Sequence, residues 1–258
     1  MDSAVDYWTA RALLEWQVEL GVDEAILDAP VDRFEKVEEP VAVEAKPKGP
    51  PVPPQPVEVD PAQEATTAAS AAVSREALGD AMQAFEHCEL KLGAKNFVFC
   101  DGNPDARVMI IGEAPGREED LAGKPFVGRA GHLLDKMFGC IGLTRSSPDP
   151  AKSIYITNVM PWRPPANRTP DAKEIAMMLP FLKRHVELVS PDFIVLMGNT
   201  PCQALLGKGG ITRIRGNWTE ALGKPVLPVF HPAYLLRQPL AKREAWADLL
   251  DLSARLED

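Results

Sequence analysis

Residues 108–120 read VMIIGEAPGREED. The first five form an unbroken apolar run rich in β-branched side chains, closed by Gly112. That pattern predicts a short strand buried on both faces. Three further segments read the same way: IYIT (154–157), FIVLM (193–197) and VLPVF (226–230). Between them the period changes to helical. Leu133, Leu134, Met137, Phe138 and Ile141 recur on one face, as do Ile175, Leu179, Leu182, Val186 and Val189. A further helical pattern runs from about 76 to 92. Strands alternating with helices predict an α/β protein whose parallel sheet is covered on both sides. In such sheets ligands bind beyond the carboxyl ends of the strands. Chemistry is therefore expected at 113–120, 158–168, 198–199 and 231–237.

The 258 residues carry a net charge of −9, which by itself argues against a nucleic-acid partner. The charge is unevenly placed. Residues 1–75 hold 15 acidic and 6 basic residues, whereas 76–258 hold 22 of each. The body is neutral, and the acidity belongs to an extension. Within that extension, 5–20 has helical composition with Trp8, Leu13, Trp16 and Leu20 as apolar contacts and Gly21 as a stop. One short helix cannot bury its own apolar face, so residues 1–30 are expected to dock on the body, dock on a protein partner, or fray. Residues 31–75 are expected to be a disordered linker. Eight of the 25 prolines fall between Pro40 and Pro61, and an Ala/Thr/Ser stretch follows. The folded domain is then 76–258. No run approaches the ~20 apolar residues of a membrane span, and Asp2 and Asp6 stand where a signal peptide would be positive. The expected location is the cytoplasm, at the nucleoid. Cys88, Cys100, Cys140 and Cys202 contain no C-x-x-C pair and read as isolated buried side chains.

The strand ends carry distinctive residues. GEAPGREED (112–120) exposes backbone N–H groups at a tight turn, either to cradle a ligand or simply to present solvated acids. It lacks both a dinucleotide fingerprint and a P-loop lysine. KPFVGRAG (124–131) offers Phe126 as core or as a stacking ring, between glycines that permit close backbone approach. In NVMPWRPPANR (158–168), Asn158 presents a donor and an acceptor in one rigid amide, suited to reading a base edge. Arg163 and Arg168 project charge from the same proline-stiffened loop. HPAYLLR (231–237) places two leucines on a loop tip, an arrangement that calls for a partner surface.

The strings GEAPGREEDLAGKPFVGRAGHLLD, YITNV, RPPANR and FHPAYLLR, in that order, resemble the uracil-DNA glycosylase superfamily, most closely its family 4. The resemblance covers roughly residues 80–250. It implies a three-layer α/β/α sandwich around a central four-stranded parallel sheet. The implied activity is a DNA N-glycosylase that flips uracil from DNA, hydrolyses its N-glycosidic bond and so initiates base-excision repair. Phe126 corresponds to the ring that stacks on the flipped base. Asn158 corresponds to the amide that reads uracil and rejects cytosine, and Gly112 and Ala114 fall in the same base pocket. His231 corresponds to the histidine beside uracil O2. Glu113 and Glu119 correspond to the acids of the site, with Ala114 standing where other members have a water-activating aspartate. Tyr234, Leu235 and Leu236 correspond to the wedge that replaces the flipped base. Arg129, Arg163, Arg168 and Arg237 are implied phosphate contacts. The partner is uracil-containing DNA, met by a monomer.

The resemblance also implies an iron–sulfur cluster on four cysteines. The corresponding positions here are Phe85, Cys88, Trp162 and Met178. One thiol cannot hold a cluster, so no cofactor or metal is expected. A basic, histidine-containing loop found in the covalently crosslinking branch is missing after Gly131, so turnover is expected. Two other readings stay open: damage binding without turnover, and excision of another deaminated base such as hypoxanthine.

Overall fold

The computed structural model describes residues 7–19 and 60–257. Helix α1 (Tyr7–Glu19) lies in a unit separate from the one that spans 57–258. Its Leu13, Leu14 and Trp16 are exposed. The expected contacts at Trp8 and Leu20, and the expected linker from 31 to 59, lie outside the described residues and side chains.

The main unit opens earlier than composition suggests. Residues 61–75, expected as linker, form helix α2 (Pro61–Ala71) and the start of α3 (Arg75–Ala84), followed by α4 (Leu90–Gly93). Asp60 caps α2 by accepting from the Ala62 N–H at 3.0 Å, with Pro61 in the first turn. That is a good start signal. Ala65, Ala69 and Ala72 are buried, so the alanine run is a close-packing helix face rather than low-complexity chain. The Arg184 guanidinium ties it down by donating twice to the Ala72 carbonyl, at 3.0 and 2.9 Å.

The sheet contains β1 (Cys100–Gly102), β2 (Val108–Gly112), β3 (Ile154–Asn158), β4 (Phe193–Met197), β5 (Thr219–Ala221) and β6 (Lys224–Val229). Their order is β1-β3-β2-β4-β6-β5. The four expected strands form the parallel centre, β3-β2-β4-β6. The short edges β1 and β5 are antiparallel additions that apolar patterning did not reveal, because neither strand is buried. Helices α5 (Arg117–Ala122) and α6 (Arg129–Gly139) follow β2, and α7 (Ala172–Val189) follows β3. Helices α8 (Asn199–Leu206) and α9 (Ile211–Ile214) follow β4, and α10 (Pro232–Arg237) and α11 (Lys242–Glu257) follow β6.

Side chains alternate across the sheet with period two, which splits the core into two layers. Met109, Ile111, Tyr155, Ile194, Leu196 and Val226 pack beneath α2, α3, α7 and α8. Val108, Ile110, Ile154, Ile156, Val195, Met197, Leu227 and Val229 pack on the other side with Leu134 and Phe138 of α6 and Leu249 and Leu252 of α11. The result is the three-layer α/β/α sandwich. The buried stripe of α7 runs through Met178, Phe181, Leu182, His185 and Val186, sharing Leu182 and Val186 with the predicted one, whose Ile175, Leu179 and Val189 are only partly buried. Cys88 and Cys202 are buried as expected, but Cys140 is exposed at the end of α6. Among the described residues no helix is long and apolar enough to cross a membrane.

Candidate active site

The four parallel strands deliver their last residues to one cleft of about 600 Å³. β2 leads into Glu113 and Ala114, β3 ends at Asn158, β4 leads into Gly198, Asn199 and Thr200, and β6 leads into Phe230 and His231. The ladder continues past β2 and β3, since the Val159 and Met160 N–H groups donate to the Gly112 and Glu113 carbonyls at 3.0 Å each. Gly112 and Asn158 are register partners, which fixes the amide beside the glycine.

Asn158 is buried, and its Oδ1 is the buried side-chain polar atom that lacks a hydrogen-bond partner among the described residues. An orphaned buried acceptor costs about 1–3 kcal/mol, which a ligand donor can recover. Gly112 is required there. A Cβ would collide with Asn158 Oδ1 and come within 2.6 Å of the Phe126 ring.

Phe126 sits at φ +53°, a left-handed conformation that L side chains rarely adopt. Its ring stacks at 5.4 Å and 29° on the His231 imidazole. The turn around it is clamped by Glu119. One carboxylate oxygen accepts from the Val127 and Gly128 N–H groups at 3.0 and 2.8 Å, and the other from Gly116 N–H at 3.1 Å. Glu119, expected as a second acid of the site, therefore also clamps this turn. It lines the cleft, but its carboxylate is committed to three backbone donors.

Glu113 is less constrained. Its Oε2 accepts from the Thr200 hydroxyl at 2.6 Å, the one hydrogen bond its carboxylate makes among the described residues. Thr200 was missed from the sequence, although the weighted strand end stopped one residue short of it. Asn199 was weighted without a role; its Oδ1 accepts from Gly210 and Ile211 N–H at 3.0 and 2.8 Å and pins the loop before α9 to the rim.

His231 is the N-cap of α10, and its Nδ1 accepts from the Ala233 N–H at 3.1 Å. That bond leaves the ring proton of the neutral form on Nε2. Burial pushes the pKa down to about 4, helped by Arg237 and opposed by Glu119. The imidazole is therefore neutral at physiological pH.

Rim residues divide. Arg168, Tyr234 and Arg237 line the cleft, while Arg129, Arg163, Leu235 and Leu236 do not. Arg168 is held by two bonds to Glu174, at 2.8 and 2.6 Å, and the guanidinium keeps that carboxyl below its ordinary range. Arg163 Nε donates to Asn167 at 2.7 Å, and Arg129 is exposed. Leu235 has no exposed surface and packs in the core, so it cannot serve as a wedge. Helical winding of α10 turns it inward and leaves the adjacent Leu236 exposed.

Phe85, Cys88, Trp162 and Met178 are all buried in one core cluster. Phe85 meets Phe181 edge-on at 5.4 Å, and Trp162 lies against Phe97 at 5.6 Å. Burial raises the Cys88 thiol's pKa. A single protonated thiol among phenyl, indole and thioether groups does not fit an iron–sulfur cluster, which needs thiolate donors. Among the described residues no group of three or more His, Cys, Asp or Glu is arranged to hold a metal ion.

The strand order and layering define an α/β/α sandwich with a strand-end cleft, and the uracil DNA glycosylase superfamily profile matches residues 99–250. The chain belongs to that superfamily. Within it, the chain is 44% identical over 153 residues to a type-4 uracil-DNA glycosylase of Thermotoga maritima, covering 58% of this chain and 77% of that one. It is 38% identical over 170 residues to the type-4 enzyme of Archaeoglobus fulgidus, covering 62% and 82%. A type-5 uracil-DNA glycosylase of Pyrobaculum aerophilum is 30% identical over 146 residues, covering 52% and 64%.

Proposed function

We propose that this protein is a uracil-DNA glycosylase that acts as a monomer, turns over, and works without an iron–sulfur cluster, opening base-excision repair at deaminated cytosine. The observation that carries the reading is the unpartnered Asn158 Oδ1, buried beside the Phe126 ring. A planar base resting on Phe126 satisfies that oxygen only if it brings an N–H. Uracil N3 carries one; cytosine N3 is itself an acceptor and would leave an oxygen and a nitrogen lone pair facing each other. Discrimination by unpaired buried polar groups is strong.

The chemistry follows from the neighbours. As the bond between C1′ and N1 breaks, its electron pair moves onto the base and negative charge grows on O2. The neutral His231 donates from Nε2–H to that oxygen, a dipole preorganised by the Nδ1 bond to the Ala233 N–H. The deoxyribose becomes cationic at C1′, and the Glu113 carboxylate, steadied by Thr200, offsets that charge and orients the attacking water. Water oxygen bonds to C1′, its proton passes to the carboxylate and then to solvent, and uracil leaves as an anion. Arg237 and Tyr234 face the DNA strand at the rim, and the exposed Leu236 is the wedge.

A duplex oligonucleotide with one uracil, incubated with the protein and then treated with alkali, tests the reading. Strand scission that disappears in Asn158→Ala and His231→Ala is expected. Binding without scission would replace it with damage recognition, and scission confined to hypoxanthine would replace the substrate. Stoichiometric iron and sulfide in the purified protein would overturn the cluster-free form.

A further inference from the structure

The Phe126 turn is held from two sides, and only one of them belongs to the cleft. Glu119 takes the N–H groups that follow Phe126. The carbonyls that precede them go to Arg145, from the segment between α6 and β3. Its Nη1 donates to the Pro125 carbonyl at 3.0 Å and its Nη2 to the Phe126 carbonyl at 2.9 Å. The remaining bonds of the guanidinium go to Asp101 at 3.1 Å and Asp135 at 2.8 Å, which neutralise a side chain only 16% exposed. Gly131 completes the seat: a Cβ there would collide with the Phe126 carbonyl.

We propose that Arg145 is a positioning residue for base recognition, fixing the Phe126 ring over the base pocket through its backbone rather than touching substrate. The inference rests on the uracil-excision reading. A phenylalanine at φ +53° persists only when its surroundings over-determine it. Released from Arg145, the Phe126 peptide relaxes toward ordinary φ, and the ring leaves both His231 and the gap above Gly112. A planar guanidinium is suited to the task because its rigid fork holds two successive carbonyls in a fixed relative geometry while its remaining N–H groups reach the two aspartates, whereas a flexible ammonium has only three donors on one atom. Stacking holds the flipped base in the ground state and the transition state alike, so its loss appears mainly in KM.

The test is a double-mutant cycle on the single-uracil oligonucleotide, with kcat and KM measured separately and thermal stability recorded. Arg145→Ala is expected to raise KM by about tenfold or more with kcat within about threefold. Phe126→Ala should show the same split. The double variant should be no worse than Phe126→Ala alone, because the two residues act as a unit. Arg145→Lys, which keeps charge and size, should fall between parent and Arg145→Ala and supplies the comparison if the alanine variant does not fold. Additive effects, a fall in kcat alone, or an unchanged Arg145→Ala would each overturn the assignment while leaving uracil excision intact. A parent protein that excises no uracil overturns the functional reading and this assignment together.

Discussion

Two regions of this protein each set a neutral histidine against a phenylalanine ring, on opposite terms: His185 is fully buried, whereas His231 is only partly so. Under α7, His185 stacks on Phe99 at 4.5 Å and hydrogen-bonds the Tyr155 hydroxyl at 2.8 Å. Near it, Phe85, Cys88, Trp162 and Met178 pack together in the apolar core. In the strand-end cleft, His231 stacks on Phe126, but there the neighbouring Asn158 Oδ1 is unpaired and the Phe126 backbone is at positive φ. The first region is satisfied and stabilises the fold. The second keeps an unsatisfied acceptor and a strained turn, the turn held by Glu119 and Arg145. Ligand chemistry concentrates where local satisfaction fails.

That contrast is broken most severely at Asn158. Asn158→Ala removes the waiting acceptor and should lower kcat/KM for uracil by roughly 10³-fold, about 4 kcal/mol, with little change in melting temperature. Steady-state excision beside a thermal melt checks both halves. Met178→Ala should do the reverse. A fully buried thioether is truncated among apolar neighbours, at about 3 kcal/mol of stability, while kcat at temperatures well below the melt stays within about twofold. Loss of activity without loss of stability would show that the apolar cluster and the cleft are coupled.

Much of this contrast was readable in the chain itself. The four apolar runs announced the parallel strands, and strand-end logic brought Glu113, Asn158 and His231 to one place. What escaped reading is physical in kind. The edges β1 and β5 lack apolar runs because they are not buried. Helix α2 was hidden in alanines, whose value lies in close approach rather than hydrophobicity. Glu119 and Leu235 carried motif letters of the site, but their roles depended on bond commitments and helix phase, which a string of residues does not display. Arg145 was invisible because it acts on main-chain carbonyls, and any residue type supplies those.

The histidines offer a pH comparison. Burial holds the His185 pKa down at about 3 and His231 at about 4, against an ordinary 6.5. Below 6.5 the unfolded chain therefore binds protons that the folded chain refuses, so stability is full above that value and declines as pH falls. His185 alone should remove about 2 kcal/mol by pH 5, with His231 adding in the same direction. His185→Gln, which keeps a hydrogen-bonding group for Tyr155 without titrating, should flatten urea-unfolding profiles between pH 6.5 and 5. An unchanged slope would place the acid sensitivity elsewhere.

The smallest effect expected is at Thr200, and it sharpens the division within the cleft. Glu113 and Glu119 are both carboxylates on the same wall, yet Glu119 is fixed by three main-chain donors and Glu113 by one hydroxyl. Thr200→Val keeps the shape and removes that hydroxyl, so Glu113 retains its charge but loses its anchor. A lost charge-assisted hydrogen bond is worth about 1–2 kcal/mol, which predicts a roughly tenfold fall in kcat. KM should hold steady, because the anchor matters when cationic charge develops at C1′ rather than when the base binds. Arg145→Ala should show the opposite split. If Thr200→Val instead raised KM, Glu113 would belong with Phe126 and Asn158 in base binding, and the charge-stabilising role would need another carrier.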